Sequence, residues 1–182
     1  MKYIINERQY KLITEEEEQE ILHIPFLDVF GDWETLQKFL ERRGYPLYSI
    51  GGSLNLRETN IKSLGNLTSV GGDLDLRGSD IKTLVNLTSV GGNLNLSRTD
   101  IKSLENLTSV GGNLNLFGTK IESLGNLTSV GGNLDLYGTN IKSLGNLTSV
   151  GGSLDLRGTP LSKKYTREQI RNMVKVGGDI YL

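Results

Sequence analysis

The chain has 182 residues, 20 basic and 21 acidic side chains, a net charge of −1 and no cysteine. This balance gives no general attraction to nucleic acid or membrane surfaces. The missing thiols exclude disulfides and thiolate metal sites, and the lone His23 cannot build a multi-histidine site. The length fits one domain, and the charged N-terminus lacks the apolar run of a signal peptide, so the cytoplasm is the expected compartment.

Residues 1–46 read as an N-terminal cap of mixed α/β character. KYIINERQYKLI (2–13) alternates like a hairpin turning near Asn6-Glu7-Arg8. Thr14 with Glu17 forms a capping box for a helix that ends before Pro25, with Glu15 to Glu18 at its positive end. Asp32 caps a second helix with Trp33, Leu36, Phe39 and Leu40 on one side, stopped by Gly44 and Pro46. Leu47 and Ile50 then fall in register with Leu67 and Val70.

Residues 47–161 repeat every 20 residues, with Gly-Gly at 51, 71, 91, 111, 131 and 151. In the second copy the apolar positions are Leu74, Leu76, Ile81, Leu84, Leu87 and Val90. Leu74 and Leu76 have strand spacing. The later ones, three apart, suit tight turns, a 3₁₀ segment or extended coil within one turn of a solenoid. Stacked copies align their strands into a parallel sheet about 4.8 Å apart and bury each Leu column. The Thr59 to Thr159 column is expected to bond backbone left unpaired by the turn, and Gly-Gly to allow either a positive φ or a close backbone approach.

Leu134-Asp-Leu-Tyr-Gly-Thr-Asn-Ile-Lys-Ser-Leu144 resembles the leucine-rich-repeat signature, with Thr in place of the usual Asn or Cys and Gly in place of the first Leu. The Gly-Gly-x-Leu-x-Leu form is similar to short repeats of bacterial and bacteriophage proteins. The resemblance implies an α/β solenoid, a right-handed curved superhelix whose parallel sheet lines a concave binding surface. It also implies a partner that is a host protein, blocked or recruited by this chain.

Residues 162–182 read as a C-terminal capping coil. Gly-Gly recurs at 177, and the insertion holds Thr166 and Gln169 in capping-box spacing, then Ile170 and Met173 on one helical face. Val176-Gly-Gly-Asp-Ile-Tyr-Leu182 restores a strand whose edge offers a route to a homodimer.

No nucleophile, phosphate loop or cofactor motif is present, so the expectation is a non-enzymatic protein with no cofactor or metal. Asp73 with Asp75, and Asp135 with Asp155, read as a solvated face rather than an acid–base pair or a Ca²⁺ site. Two outward columns, Ser53 to Ser153 and Asn55 to Asp155, are uniformly small and polar. The third, Arg57, Arg77, Ser97, Phe117, Tyr137 and Arg157, varies most. Phe117 and Tyr137 are expected as adjacent anchors for a protein partner, with Arg57, Arg77, Arg98 and Arg157 as polar contacts. Aromatic stacking for its own sake, a sugar ring on Tyr137 and a structural subunit associating through its ends are the competing readings.

Overall fold

The computed structural model describes residues 20–182. The expected hairpin over residues 2–13, and Thr14, Glu17 and the acidic run, lie outside the described residues. The expected helix does not reach Pro25: Leu22–Ile24 is a strand, β1, paired in parallel with β2 (Tyr48–Ile50). His23, read as helical, is in that strand, its Nδ1 3.0 Å from Ser49 Oγ. The residue before a proline is driven towards extended backbone, and Ile24 gains burial by pairing there.

Trp33–Glu41 forms helix α1, with the Asp32 carboxylate accepting the Thr35 N–H at 2.7 Å. Leu36 and Leu40 are buried, while Trp33 and Phe39 pack half-buried beside them. The chain then enters β2 one residue out of the expected register, because Tyr48 rather than Leu47 opposes Leu67 and a bulge follows before Ile50 meets Val70. The buried Tyr48 ring fills the first coil, and its hydroxyl donates to the Leu64 carbonyl at 2.8 Å.

Each coil contributes two strands where one was expected. The first series precedes Gly-Gly: β4 (Leu67–Val70), β6 (Ser89–Val90), β8 (Ser109–Val110), β10 (Ser129–Val130), β12 (Ser149–Val150) and β14 (Lys175–Val176). The second follows it: β3 (Leu54–Asn55), β5 (Leu74–Asp75), β7 (Leu94–Asn95), β9 (Leu114–Asn115), β11 (Leu134–Asp135), β13 (Leu154–Asp155) and β15 (Ile180–Tyr181). The first series with β1 and β2 builds an eight-stranded parallel sheet and the second a seven-stranded one, so the molecule is a parallel-strand β-solenoid. Every inward Val and Leu stacks on its equivalent one coil away, and the Ile, Leu and Leu of the intervening coil complete the core. The Ser-Val pair has the strand period of two, Val inward and Ser half-exposed.

The Gly-Gly corners are explained by close approach. A methyl group on Gly111 would overlap the carbonyl oxygen of Gly91, and the same holds from Gly71 to Gly177. At the second glycine the space belongs to a side chain of the preceding coil: Asn93 Oδ1 sits where a Gly112 methyl would be. That oxygen accepts the Asn113 N–H at 2.8 Å, Asn113 Oδ1 accepts Asn133 N–H at 2.7 Å, and Ser53, Asp73, Asn133 and Ser153 continue the ladder. The hydroxyls of Thr59, Ser79, Thr99, Thr119, Thr139 and Thr159 bond the Leu carbonyl three residues earlier at 2.6 to 2.8 Å. Among the described residues no buried side-chain N or O atom lacks a partner.

Between Thr159 and β14 the insertion folds as two short helices, α2 (Pro160–Lys164) and α3 (Arg167–Met173). Thr166 and Gln169 form the capping box, and Ile170 is buried; Met173 stays exposed.

Two stability changes follow. Gly111→Ala forces a methyl group into backbone and should lower the unfolding free energy by about 3 kcal/mol or more. Val85 has φ 22° where Gly65, Gly125 and Gly145 have 58° to 60°, at the first central position of the turn closed by Leu87 N–H to Leu84 carbonyl at 2.8 Å. Val85→Gly should raise stability by about 1 kcal/mol, because a β-branched residue is strained there. Urea unfolding monitored by circular dichroism checks both.

Candidate functional site

The outward face of the seven-stranded sheet is largely bonded to itself. Its first polar column is the acceptor ladder described above. In the second, Asn55, Asp75, Asn95, Asn115, Asp135 and Asp155 each accept the backbone N–H two residues on, at 2.9 to 3.3 Å. These Asx turns bend the chain out of the strand. Both columns must therefore carry short acceptors, which accounts for their uniformity.

The third column lies just beyond the strands, in the turns that the Asx residues start. In the turn from Leu116 to Thr119, Phe117 takes the first central position and Gly118 the second, with φ 68°; Thr119 N–H closes it on Leu116 carbonyl at 3.1 Å. That is the pattern of a type II turn, whose first central position accepts most side chains and whose second favours glycine. The third column is thus the one place on this face where the fold leaves residue choice open.

Phe117 and Tyr137 occupy it side by side and are 37% and 42% exposed. Their rings stack with centroids 5.6 Å apart and planes 26° from parallel. Arg157 continues the row, its guanidinium carbon 5.5 Å from the Tyr137 ring centroid and 5.4 Å from that of Tyr181. Arg157 is also held by Asp155, Nε lying 3.0 and 3.1 Å from the two carboxylate oxygens and Nη2 closing a fork on Oδ2. Burial opposes ionisation of Asp155, but hydrogen bonds from the Arg157 side chain and backbone outweigh it and hold the carboxyl below its ordinary value. A recess of about 310 Å³ opens beside Tyr181, over Asn133, Asp135, Ser153 and Asp155.

The six sequence-predicted residues are not one cluster. Phe117, Tyr137 and Arg157 are consecutive in the row. Arg98 neighbours them differently: it takes the glycine position of its own turn, with φ 59°, its N–H donates to the Phe117 carbonyl at 3.0 Å, and its Cγ passes over Gly118. Arg77 and Arg57 stand two and three coils from Phe117, beyond the small, buried Ser97. Tyr181 was missed. Its signal was available, since Gly177-Gly-Asp-Ile-Tyr aligns with Gly151-Gly-Ser-Leu-Asp and places Tyr181 in register with Asp155.

Elsewhere, a groove of about 660 Å³ runs along the Ser, Val and Gly positions from Ser69 to Gly151 and ends at Lys175 and Gly177. In the exposed Lys62 to Lys142 column, the break at Glu122 is matched by an ion pair with Lys142 at 3.2 Å, and Lys120 pairs with Asp100 at 2.8 Å. No group of three or more His, Cys, Asp or Glu among the described residues is arranged to hold a metal ion, and none of their helices is long and apolar enough to cross a membrane. Comparison with protein-family models found no match, and comparison with curated proteins found no similar sequence.

A carboxyl whose folded-state pKa lies below its unfolded value stabilises the fold where the unfolded group is ionised. That contribution is present above the ordinary value of 3.8 and is lost as the pH falls through the lower folded value. Asp155→Asn should accordingly be less stable than the wild type at neutral pH, and the two should converge as the pH drops below about 4. Thermal melts across that range check the sign.

Proposed function

We propose that the chain is a non-enzymatic leucine-rich-repeat solenoid, right-handed and curved, that binds another protein on its concave face. Phe117 and Tyr137 are the anchors, Arg157 and Arg98 the adjoining polar contacts, and Arg77 and Arg57 the outer contacts along the same column. The observation that carries this reading is the exposed Phe117–Tyr137 stack, standing at turn positions where the fold requires no particular side chain. Exposed aromatics flanked by arginine are what interface hot spots are enriched in. By its resemblance to bacterial and phage repeats, the chain acts by binding and modulating a host protein in the cytoplasm.

Arg98 adds weight. Gly78, Gly118, Gly138 and Gly158 fill its turn position without strain, and their turns keep the backbone bond from the following Ser or Thr N–H. With Arg98 there, as with Glu58 at φ 56° in the first coil, that backbone bond is missing and the turn is held only by the hydroxyl bond common to every coil, here Thr99 to the Leu96 carbonyl at 2.7 Å. A strained residue beside the aromatic row is a reasonable mark of function. Arg98→Gly should raise the melting temperature while weakening partner capture; a variant that loses stability would remove this support.

A carbohydrate-binding module is the second reading, because Tyr137 and the Asn columns offer stacking and hydrogen bonds. It is less favoured: the Phe117 and Tyr137 rings face each other, and the Asn oxygens are spent on backbone N–H groups. The deciding experiment is affinity capture from the source cell's lysate, with wild type and Phe117→Ala/Tyr137→Ala matched for melting temperature, beside a glycan array. Loss of one captured protein with the double variant supports the proposal. Identical capture by both, or binding to a glycan alone, removes it.

A further inference from the structure

The outermost coil presents backbone groups that in every inner coil bond to the coil that follows. Val150 carbonyl accepts Gly177 N–H at 2.9 Å, and Gly152 carbonyl accepts Gly178 N–H at 2.9 Å. Leu154, whose N–H donates to the Asp179 carbonyl at 2.8 Å, directs both its backbone groups towards β15, as a parallel ladder requires. Val176, Gly178 and Ile180 are the equivalents of these three residues in the outermost coil. Their carbonyls point away from the solenoid, where a further coil would supply N–H donors.

Helix α3 supplies the donors instead. Arg171 Nη1 donates to the Val176 carbonyl at 3.0 Å and Nη2 to the Gly178 carbonyl at 2.9 Å. Arg167 Nε donates to the Ile180 carbonyl at 2.8 Å. The two arginines lie one helical turn apart, so the helix presents both guanidinium groups on one face. Thr166 and Gln169, by fixing the helix start, fix the register in which they reach the strands. Three acceptors, spread over the ends of both sheets, are filled by two side chains in the manner of the next coil's main chain.

From this geometry we infer that Arg167 and Arg171 close this end of the solenoid against strand addition, so that a second copy of the chain cannot continue either sheet there. An incoming strand must offer N–H donors to carbonyls that already hold charge-assisted hydrogen bonds, and must approach two positive charges. Without the arginines, the end is a row of unpaired acceptors beside outward N–H groups, a template on which copies associate. This inference does not depend on what the Phe117 row binds.

The test reads the edge itself, by hydrogen exchange of the peptide covering residues 175–182 at protein concentrations from about 1 to about 100 μM. Wild type should exchange there at a rate independent of concentration. Folded Arg167→Ala/Arg171→Ala should exchange about tenfold more slowly at the upper concentration, as copies pair on the freed edge. Circular dichroism checks the fold; if the alanine pair fails to fold, Arg167→Met/Arg171→Met keeps the packing stems and removes the donors. A homodimer through this edge, seen as concentration-dependent protection in the wild type, overturns the inference. So does a folded variant whose exchange stays independent of concentration.

Discussion

The close passage of one coil over the next at the Gly-Gly corner sets the rest of the structure. There the backbones approach so nearly that neither glycine has room for a methyl group, the first because of a carbonyl oxygen and the second because of a short acceptor side chain from the preceding coil. That acceptor, Asn, Asp or Ser, takes the N–H of its own successor, and the next acceptor along starts the turn out of the strand. A single packing constraint thereby dictates three positions of each repeat, the two glycines and the first acceptor, while the second acceptor is set by its own turn. It also keeps the Leu and Val columns in register, which is where most of the burial lies.

A face so occupied with itself has little left for a partner. The residue two positions after each Asx is the exception, because its turn asks only for a negative φ and its side chain leaves the sheet. Variation concentrates there for that reason, from Arg57 through Ser97 to Phe117 and Tyr137. The Phe117–Tyr137–Arg157–Tyr181 row is then a group whose members touch one another and solvent, supported from below by Asp155.

Much of the fold was legible because repetition turns weak local signals into columns. The period, the inward Leu pairs, the Asp32 cap and the Thr166–Gln169 capping box are all local patterns with one physical reading. Other features depend on what lies one coil away. Ser-Val before Gly-Gly is too short to announce a strand, and becomes one because the same dipeptide stacks on it. Whether Gly-Gly served a positive φ or a close approach was open until the neighbouring carbonyl was placed. Leu22–Ile24 pairs with residues 26 positions later, which the helical reading of its own segment could not anticipate. In the site, Phe117 and Tyr137 were found because they depart from a template. Tyr181 escaped because its coil contains an insertion, and Arg57 and Arg77 were grouped with the aromatics by column although two or more coils separate them.

On the proposed reading, the third column is free for the fold and used by the partner. Exchanging two of its members, Phe117→Arg with Arg77→Phe, keeps composition and turn geometry and moves only the pattern. The unfolding free energy of the exchanged protein should stay within about 1.5 kcal/mol of wild type, the order of one lost aromatic pair, while capture of the partner is lost. A loss of stability comparable to truncating a core residue, about 3 kcal/mol or more, with capture unchanged, would contradict the account and make the aromatic row part of the scaffold.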